Sequence, residues 1–207
     1  SSPMVIGGKL YGAGKFNGTS SSILLSNGNV GQTQALTISA WIYMTAHTAA
    51  RNIVSTYDYQ SGPSKGYTFV VTSGGNLQFS VHNGDCNNPY PVDTSCNLYT
   101  RLTSSDTIPL DQWVHVAVSM GSTGNPLVIY INGSSVGSTT TQQVGYYNVD
   151  TRIGYTTYSV GGTTYTDGYF LGNLDQIRFY NSALTGSQIN ELYTETTTTA
   201  NTLDFPT

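Results

Sequence analysis

The chain has 207 residues and a net charge of −4, and only 9% of its residues are charged. That excludes long amphipathic helices, whose outer faces need Asp, Glu, Lys and Arg. It also excludes a nucleic-acid surface, which needs clustered Lys and Arg where this chain has seven scattered ones. No apolar run approaches 18 residues, so no helical membrane span is predicted. At this length the core needs neither metals nor disulfides.

Ser1-Ser2-Pro3 opens the chain without an initiating Met or a leader, which reads as a piece of a longer, multidomain protein, with a processed product as the alternative. Segments rich in β-branched and aromatic residues follow at 22–25, 36–44, 52–56, 67–72, 77–82 and 98–103, then at 113–120, 127–131, 135–138, 151–153 and 170–179. Turn residues such as Ser73-Gly74-Gly75-Asn76 bound them, which is the pattern of strands. In 113–120 the alternation sets Trp113, His115, Ala117 and Ser119 on one face and Val114, Val116 and Val118 on the other. Both faces are predicted to be buried, with Trp41 and Trp113 inside. Asn132-Gly133 predicts a tight hairpin, because it supplies the two positive φ angles of a type I′ turn. Thr185-Gly186-Ser187-Gln188 reads as a capping box opening a helix, with Ile189 and Leu192 as its apolar stripe. The prediction is all-β: a two-sheet antiparallel sandwich with one short C-terminal helix. One domain spans residues 1–195, and 196–207 is a polar tail or linker.

Cys86 and Cys96 lie ten positions apart in the polar stretch NGDCNNPYPVDTSCN. They predict a disulfide and an oxidising compartment, with two free thiols in an exposed loop as the alternative. Glycoside hydrolysis needs two carboxyls roughly 5–9 Å apart. No predicted strand carries such a pair, and Glu191 and Glu195, the two glutamates, are far away in the helix region. His47, His82 and His115 are distant from one another, and His115 reads as a hydrogen-bonded core residue. The chain is therefore expected not to be an enzyme. Asn17-Gly18-Thr19 and Asn132-Gly133-Ser134 match the N-glycosylation pattern.

An ordered set of segments carries a family resemblance. It comprises Gly12-Ala13-Gly14-Lys15-Phe16-Asn17-Gly18, Ala40-Trp41-Ile42, Trp113-Val114-His115-Val116-Ala117, Tyr130-Ile131-Asn132-Gly133 and Arg152-Ile153-Gly154. The run from Gly168 to Thr185, GYFLGNLDQIRFYNSALT, completes it and is the most specific part. Over roughly residues 4–195 the chain resembles the laminin-G-like domains of the concanavalin A-like lectin/glucanase superfamily. The resemblance implies a jelly roll of two curved antiparallel sheets. It also implies carbohydrate or protein binding, often with Ca2+ and usually without catalysis. The family often holds a structural calcium between an Asp in the last-strand block, here Asp175, and the first-strand region near Asn17. A hydrogen-bonding strand-end role for Asp175 is the alternative. The pentraxin branch places its calcium and ligand site on loops equivalent to Tyr57-Asp58-Tyr59 and to Tyr155–Gly168. This chain lacks the acidic cluster that pentraxins carry there.

Alternating strand directions put the loop after Tyr57 and the Cys86–Cys96 loop side by side. With the loop after 151–154 they form an expected ligand site of Tyr57, Asp58, Tyr59, Tyr90, Tyr155, Tyr158 and Asp167 at one end of the sandwich. Tyrosines there either stack on sugar rings or pack the loop bases. The expected function is a non-catalytic carbohydrate-binding or adhesion module of a larger secreted, cell-surface or virion-surface protein, with a glycan or surface glycoprotein as partner. The alternative is a structural or protein-interaction domain of a surface fibre, tail or virion protein. With few charges, binding is expected to favour neutral sugars and to vary little with salt.

Overall fold

The computed structural model describes residues 4–10, 12–26, 33–57, 65–83, 99–141, 150–160 and 162–196. Asp58, Tyr59, Cys86, Tyr90 and Cys96 lie outside the described residues, so the expectations placed on them have no structural counterpart here. In chain order the elements are β1 (Met4–Ile6), β2 (Gly12–Asn17), β3 (Ile23–Leu25), β4 (Leu36–Tyr43) and β5 (Arg51–Ser55). There follow β6 (Lys65–Val71), β7 (Asn76–Asn83), β8 (Tyr99–Thr107), β9 (Trp113–Met120) and β10 (Pro126–Ile131). Last come β11 (Ser134–Thr140), β12 (Thr151–Ile153), β13 (Thr156–Val160), β14 (Thr163–Asp167), β15 (Leu171–Tyr180) and α1 (Gly186–Thr194).

Two antiparallel sheets face one another. The seven-stranded sheet runs β1-β2-β15-β4-β9-β10-β11, and the six-stranded sheet runs β3-β12-β5-β6-β7-β8. Between them alternate residues meet: Leu36, Ile38, Ala40 and Ile42 from β4, Val114, Val116 and Val118 from β9, and Phe69, Phe79 and Val81 from β6 and β7. This is the predicted jelly-roll sandwich with its one short helix. The Asn132-Gly133 hairpin forms with φ of 49° and 76°. The Asn132 side-chain oxygen also accepts the His115 amide hydrogen at 3.0 Å, tying the turn to β9.

β5 shows how the pleat is bent to serve two faces. A bulge between Asn52 and Val54 gives one extra residue, so Ile53 and Val54 both enter the core while Asn52 and Ser55 face outward. The outer face of the seven-stranded sheet is closed by α1. Thr185 caps this helix: its hydroxyl accepts from the Gln188 amide at 3.3 Å, and the Gln188 side-chain oxygen accepts from the Thr185 amide at 2.9 Å. Ile189 is then fully buried, and Tyr193 stacks on Trp41 with ring centres 5.8 Å apart.

Two expectations are corrected. Trp41 is 3% exposed as anticipated, but Trp113 is only half-buried, at the start of β9 against the edge of Tyr43. Residues 155–168, expected as a loop, form a separate two-stranded hairpin, β13–β14.

Candidate functional site

The outer face of the six-stranded sheet is built from rows that cross the strands. The strand register sets the middle row as Leu24–Arg152–Ser55–Thr68–Ser80–Arg101, from β3 to β8. One side of it is Gly66–His82–Tyr99, with Tyr57 just past the end of β5 against His82, and the other is Asn52–Val70–Gln78–Thr103. Ser55 and Ser80 are nearly inaccessible, at 0% and 2%. Small hydroxyl side chains thus form a strip across the strands, the trough, between the row that bears the rings and the row of Asn52, Val70, Gln78 and Thr103. From Ser55 to Arg101 it crosses three strand spacings, about 14 Å.

The ring row depends on one glycine. Gly66 has φ of 83°, and a Cβ there would meet the Thr56 carbonyl oxygen at 2.2 Å, so only glycine fits. With no side chain on β6 at this position, Tyr57 reaches across to His82, with ring centres 5.1 Å apart and planes at 64°. His82 in turn stacks on Tyr99 at 5.4 Å and 20°. Arg101 completes the ladder. Its guanidinium carbon lies 5.0 Å from the Tyr99 ring centre, and its Nε donates to the Ser80 hydroxyl at 3.1 Å. Burial, helped by the positive charge of Arg101, lowers the His82 pKa to about 4. The ring is therefore neutral at pH 7, a platform and hydrogen-bonding group rather than a charge.

The β13–β14 hairpin stands over the other end of the trough. It branches from the sheet at Gly154, where φ is 81° and a Cβ would lie 2.5 Å from the Phe16 ring. The Thr156 hydroxyl pairs with that of Ser55 at 2.8 Å, and Ser55 also accepts the Tyr57 amide hydrogen at 3.1 Å. Tyr158 shares its face of β13 with Thr156 and stacks on Tyr165 of β14 at 5.4 Å.

The sequence-predicted residues are thus divided. Tyr57 stands in the ring ladder and Tyr158 in the hairpin stack. Tyr155 stacks instead on Tyr169 at the hairpin base, at 5.9 Å, and burial pushes its phenol pKa up. Asp167 is exposed and accepts the amide hydrogen of its neighbour Gly168 at 2.6 Å. The expected convergence by strand direction does not hold for the third loop. β12 runs antiparallel to β5, and the Gly154 amide donates to the Ile53 carbonyl, so β12 leaves at the end opposite Tyr57. The hairpin approaches the trough by folding back across the sheet. His82, Tyr99, Arg101, Ser55 and Ser80 were not anticipated. Their signal is the cross-strand register, which links residues up to 46 positions apart (55 to 101).

The structure does not bring the two residues named for calcium together. β2 and β15 pair Asn17 with Leu171, four register positions from Asp175, or about 13 Å along the strand. The Asn17 side-chain oxygen accepts backbone hydrogens from Thr19, Ser20 and Ser21 at 2.9–3.0 Å. The Asp175 carboxylate accepts from the Leu10 and Gln176 amides at 3.2 and 2.8 Å. Among the described residues no group of three or more His, Cys, Asp or Glu gathers at one point.

The fold recurs in solved structures. The heptameric SAP-like pentraxin from Limulus polyphemus is 17% identical, with a TM-score of 0.59, covering 87% of this chain and 80% of that one. The CBM40 domain of the Ruminococcus gnavus IT-sialidase, solved with alpha2,3 sialyllactose, is 14% identical, with a TM-score of 0.61 over 78% of this chain and 84% of that one. Domain 4 of AbnA, a GH43 extracellular arabinanase from Geobacillus stearothermophilus, was solved with arabinotriose. It is 22% identical, with a TM-score of 0.63 over 93% and 82% of the two chains. At these identities the likeness is one of fold. No curated protein matches the chain in sequence. Residues 17–190 match the family described as the Concanavalin A-like lectin/glucanases superfamily, laminin-G type, and the chain belongs to that family.

Proposed function

We propose that this chain is a non-catalytic carbohydrate-binding module of a larger secreted or surface-exposed protein, and that it holds its glycan in the trough on the six-stranded sheet. The observation that carries this reading is the Tyr57–His82–Tyr99 ladder with the partly exposed Thr68 and Gln78 and the exposed Arg101 and Thr103 beside it. Sugar rings have an apolar face and a rim of hydroxyls. Aromatic rings suit the first, and accessible polar side chains suit the second. Among the described residues of the three rows there is no carboxylate, and glycoside hydrolysis draws on a pair of them, which supports binding without cleavage. The fold shared with domains solved in complex with oligosaccharides agrees with this reading. In an oxidising compartment Cys86 and Cys96 would be bonded.

A glycan array tests the proposal. The wild-type chain should give a defined set of hits. Tyr99→Ala should lose them by about tenfold or more in affinity, since a stacked ring contributes on the order of 1 kcal/mol beyond its area. A silent array, with self-association of the chain in solution, would instead favour a structural surface domain.

A further inference from the structure

The strand register places two arginines on the outer face of the six-stranded sheet of a chain whose net charge is −4. Arg152 and Arg101 stand at or near the two ends of the middle row, about 19 Å apart at four strand spacings, too far to share one small anion. Arg152 is engaged by its own chain, its Nη1 donating to the Asp150 carbonyl at 3.2 Å. Arg101 is placed differently. Its Nε is taken by Ser80 and its guanidinium sits over the Tyr99 ring, with 5.0 Å from carbon to ring centre. These two contacts hold the guanidinium at the edge of the strip. Its two terminal nitrogens make no hydrogen bond with the described residues, and the side chain is exposed at the edge of the trough. Their N–H groups form the end-on fork that matches the two oxygens of a carboxylate. Neutral His82 and Tyr99 beside it supply ring surface without adding a competing charge.

We infer that Arg101, braced by Tyr99 and Ser80, is a specificity-determining residue that binds a carboxylate, and that the glycan taken by the trough carries an acidic sugar residue at its β7–β8 end. This rests on the reading of the trough as a glycan site and narrows it to a substrate class. It also replaces the expectation of neutral sugars and salt-insensitive binding, which followed from counting charges over the whole chain rather than along one sheet face. An exposed ion pair of this kind weakens as salt rises.

The test uses probe pairs that differ only in the acid: oligogalacturonate and its carboxyl-reduced form, and 3′-sialyllactose and its carboxyl-reduced form. Each is titrated calorimetrically against the whole chain. For at least one pair the acidic member should bind at least about tenfold more tightly at about 50 mM salt, and the ratio should shrink several-fold at about 500 mM. Arg101→Gln should bring the ratio to about one. Arg101→Lys should keep part of it, because an ammonium retains the charge but not the fork. Lys15→Gln removes a charge from an exposed position on the seven-stranded sheet and should leave the ratio as in the wild type. Melting curves of each variant confirm folding. Equal binding of both members of each pair overturns the inference while leaving the glycan reading intact. So does a Lys15→Gln loss as large as that of Arg101→Gln, or equal binding of a sulfate ester in place of the carboxylate. Failure of these probes and of every neutral glycan to bind overturns both readings.

Discussion

The two sheets carry similar outer faces with opposite fates. Each has a histidine beside aromatic rings: His115 with Trp41 and Tyr193 on the seven-stranded sheet, His82 with Tyr57 and Tyr99 on the six-stranded sheet. Each histidine also has an arginine nearby, Arg178 in one case and Arg101 in the other, and each is lowered to a pKa of about 4 by burial and that charge. On the first face the chain itself supplies the cover. Helix α1 lays Ile189 and Tyr193 over the strands, Lys9 sits 4.3 Å above the Trp41 ring centre, and His115 is hydrogen-bonded to Ser39 at 2.8 Å. On the second face the rings end in an exposed arginine and a branching hairpin. Aromatic residues on an outward face therefore do not by themselves mark a site; among the described residues, the first face is sealed as a second core, and the second is the one proposed to bind.

The largest effect that tests this contrast is on stability. Trp41→Ala removes a ring that is 3% exposed and stacked on Tyr193, and it should cost about 3–5 kcal/mol in urea unfolding. Tyr99→Ala, the comparable change on the other face, removes a half-buried ring and should cost less, about 1 kcal/mol, while lowering glycan affinity by about tenfold or more. Equal losses of stability would mean that the second face is packing as well.

How much of this could be read in advance depends on whether the signal is local. The helix start at Thr185 and the Asn132-Gly133 turn are set by neighbouring residues, and both were legible. The core strands β4 and β9 were legible because an apolar residue recurs at every second position. β13–β14 was not, since its Thr, Tyr and Ser residues bury no apolar face and so carry no period to detect. The trough was least legible. Ser55, Thr68, Ser80 and Arg101 become neighbours only through a register that a bulge at Ile53 shifts by one residue. His82 was visible only as a histidine distant from the other two. The pairing of Asp175 with Asn17 came from resemblance, and the hydrogen bonds that these side chains accept are set by the turns at 8–10 and 17–21 and by the register shift in β15 at 175–178.

A smaller effect separates the faces by pH. Both folded histidines titrate near 4, below the value of 6.5 for a free imidazole. The unfolded chain therefore binds more protons between pH 6.5 and about 4. The stability gained by keeping these rings neutral is complete above pH 6.5 and is lost as pH falls toward 4. A full proton difference corresponds to about 1.4 kcal/mol per pH unit. Urea midpoints measured from pH 7 to 4.5 should fall less steeply in His82→Gln and in His115→Gln than in the wild type. Only the His115 titration should release α1, seen as faster amide exchange at Ile189 through Tyr193. Unchanged slopes in both variants would show that neither ring is held neutral by the fold.

The smallest effect concerns the cover itself. α1 has nine residues, too few for an isolated helix to persist in water, so it depends on its cap and on the face it seals. Thr185→Ala deletes the hydroxyl that accepts the Gln188 amide hydrogen and should cost about 1 kcal/mol. Gln188 keeps its bond to the Thr185 backbone, so the helix should loosen rather than leave. Amide exchange in α1 should rise about fivefold, the equivalent of that energy, with little change in β5 to β8. Glycan affinity should stay within about twofold of the wild type, because the trough lies on the opposite sheet and shares no residue with the cap. A marked loss of affinity in Thr185→Ala would mean that the two outer faces are coupled through the core. The closed face would then be part of the binding machinery rather than its counterpart.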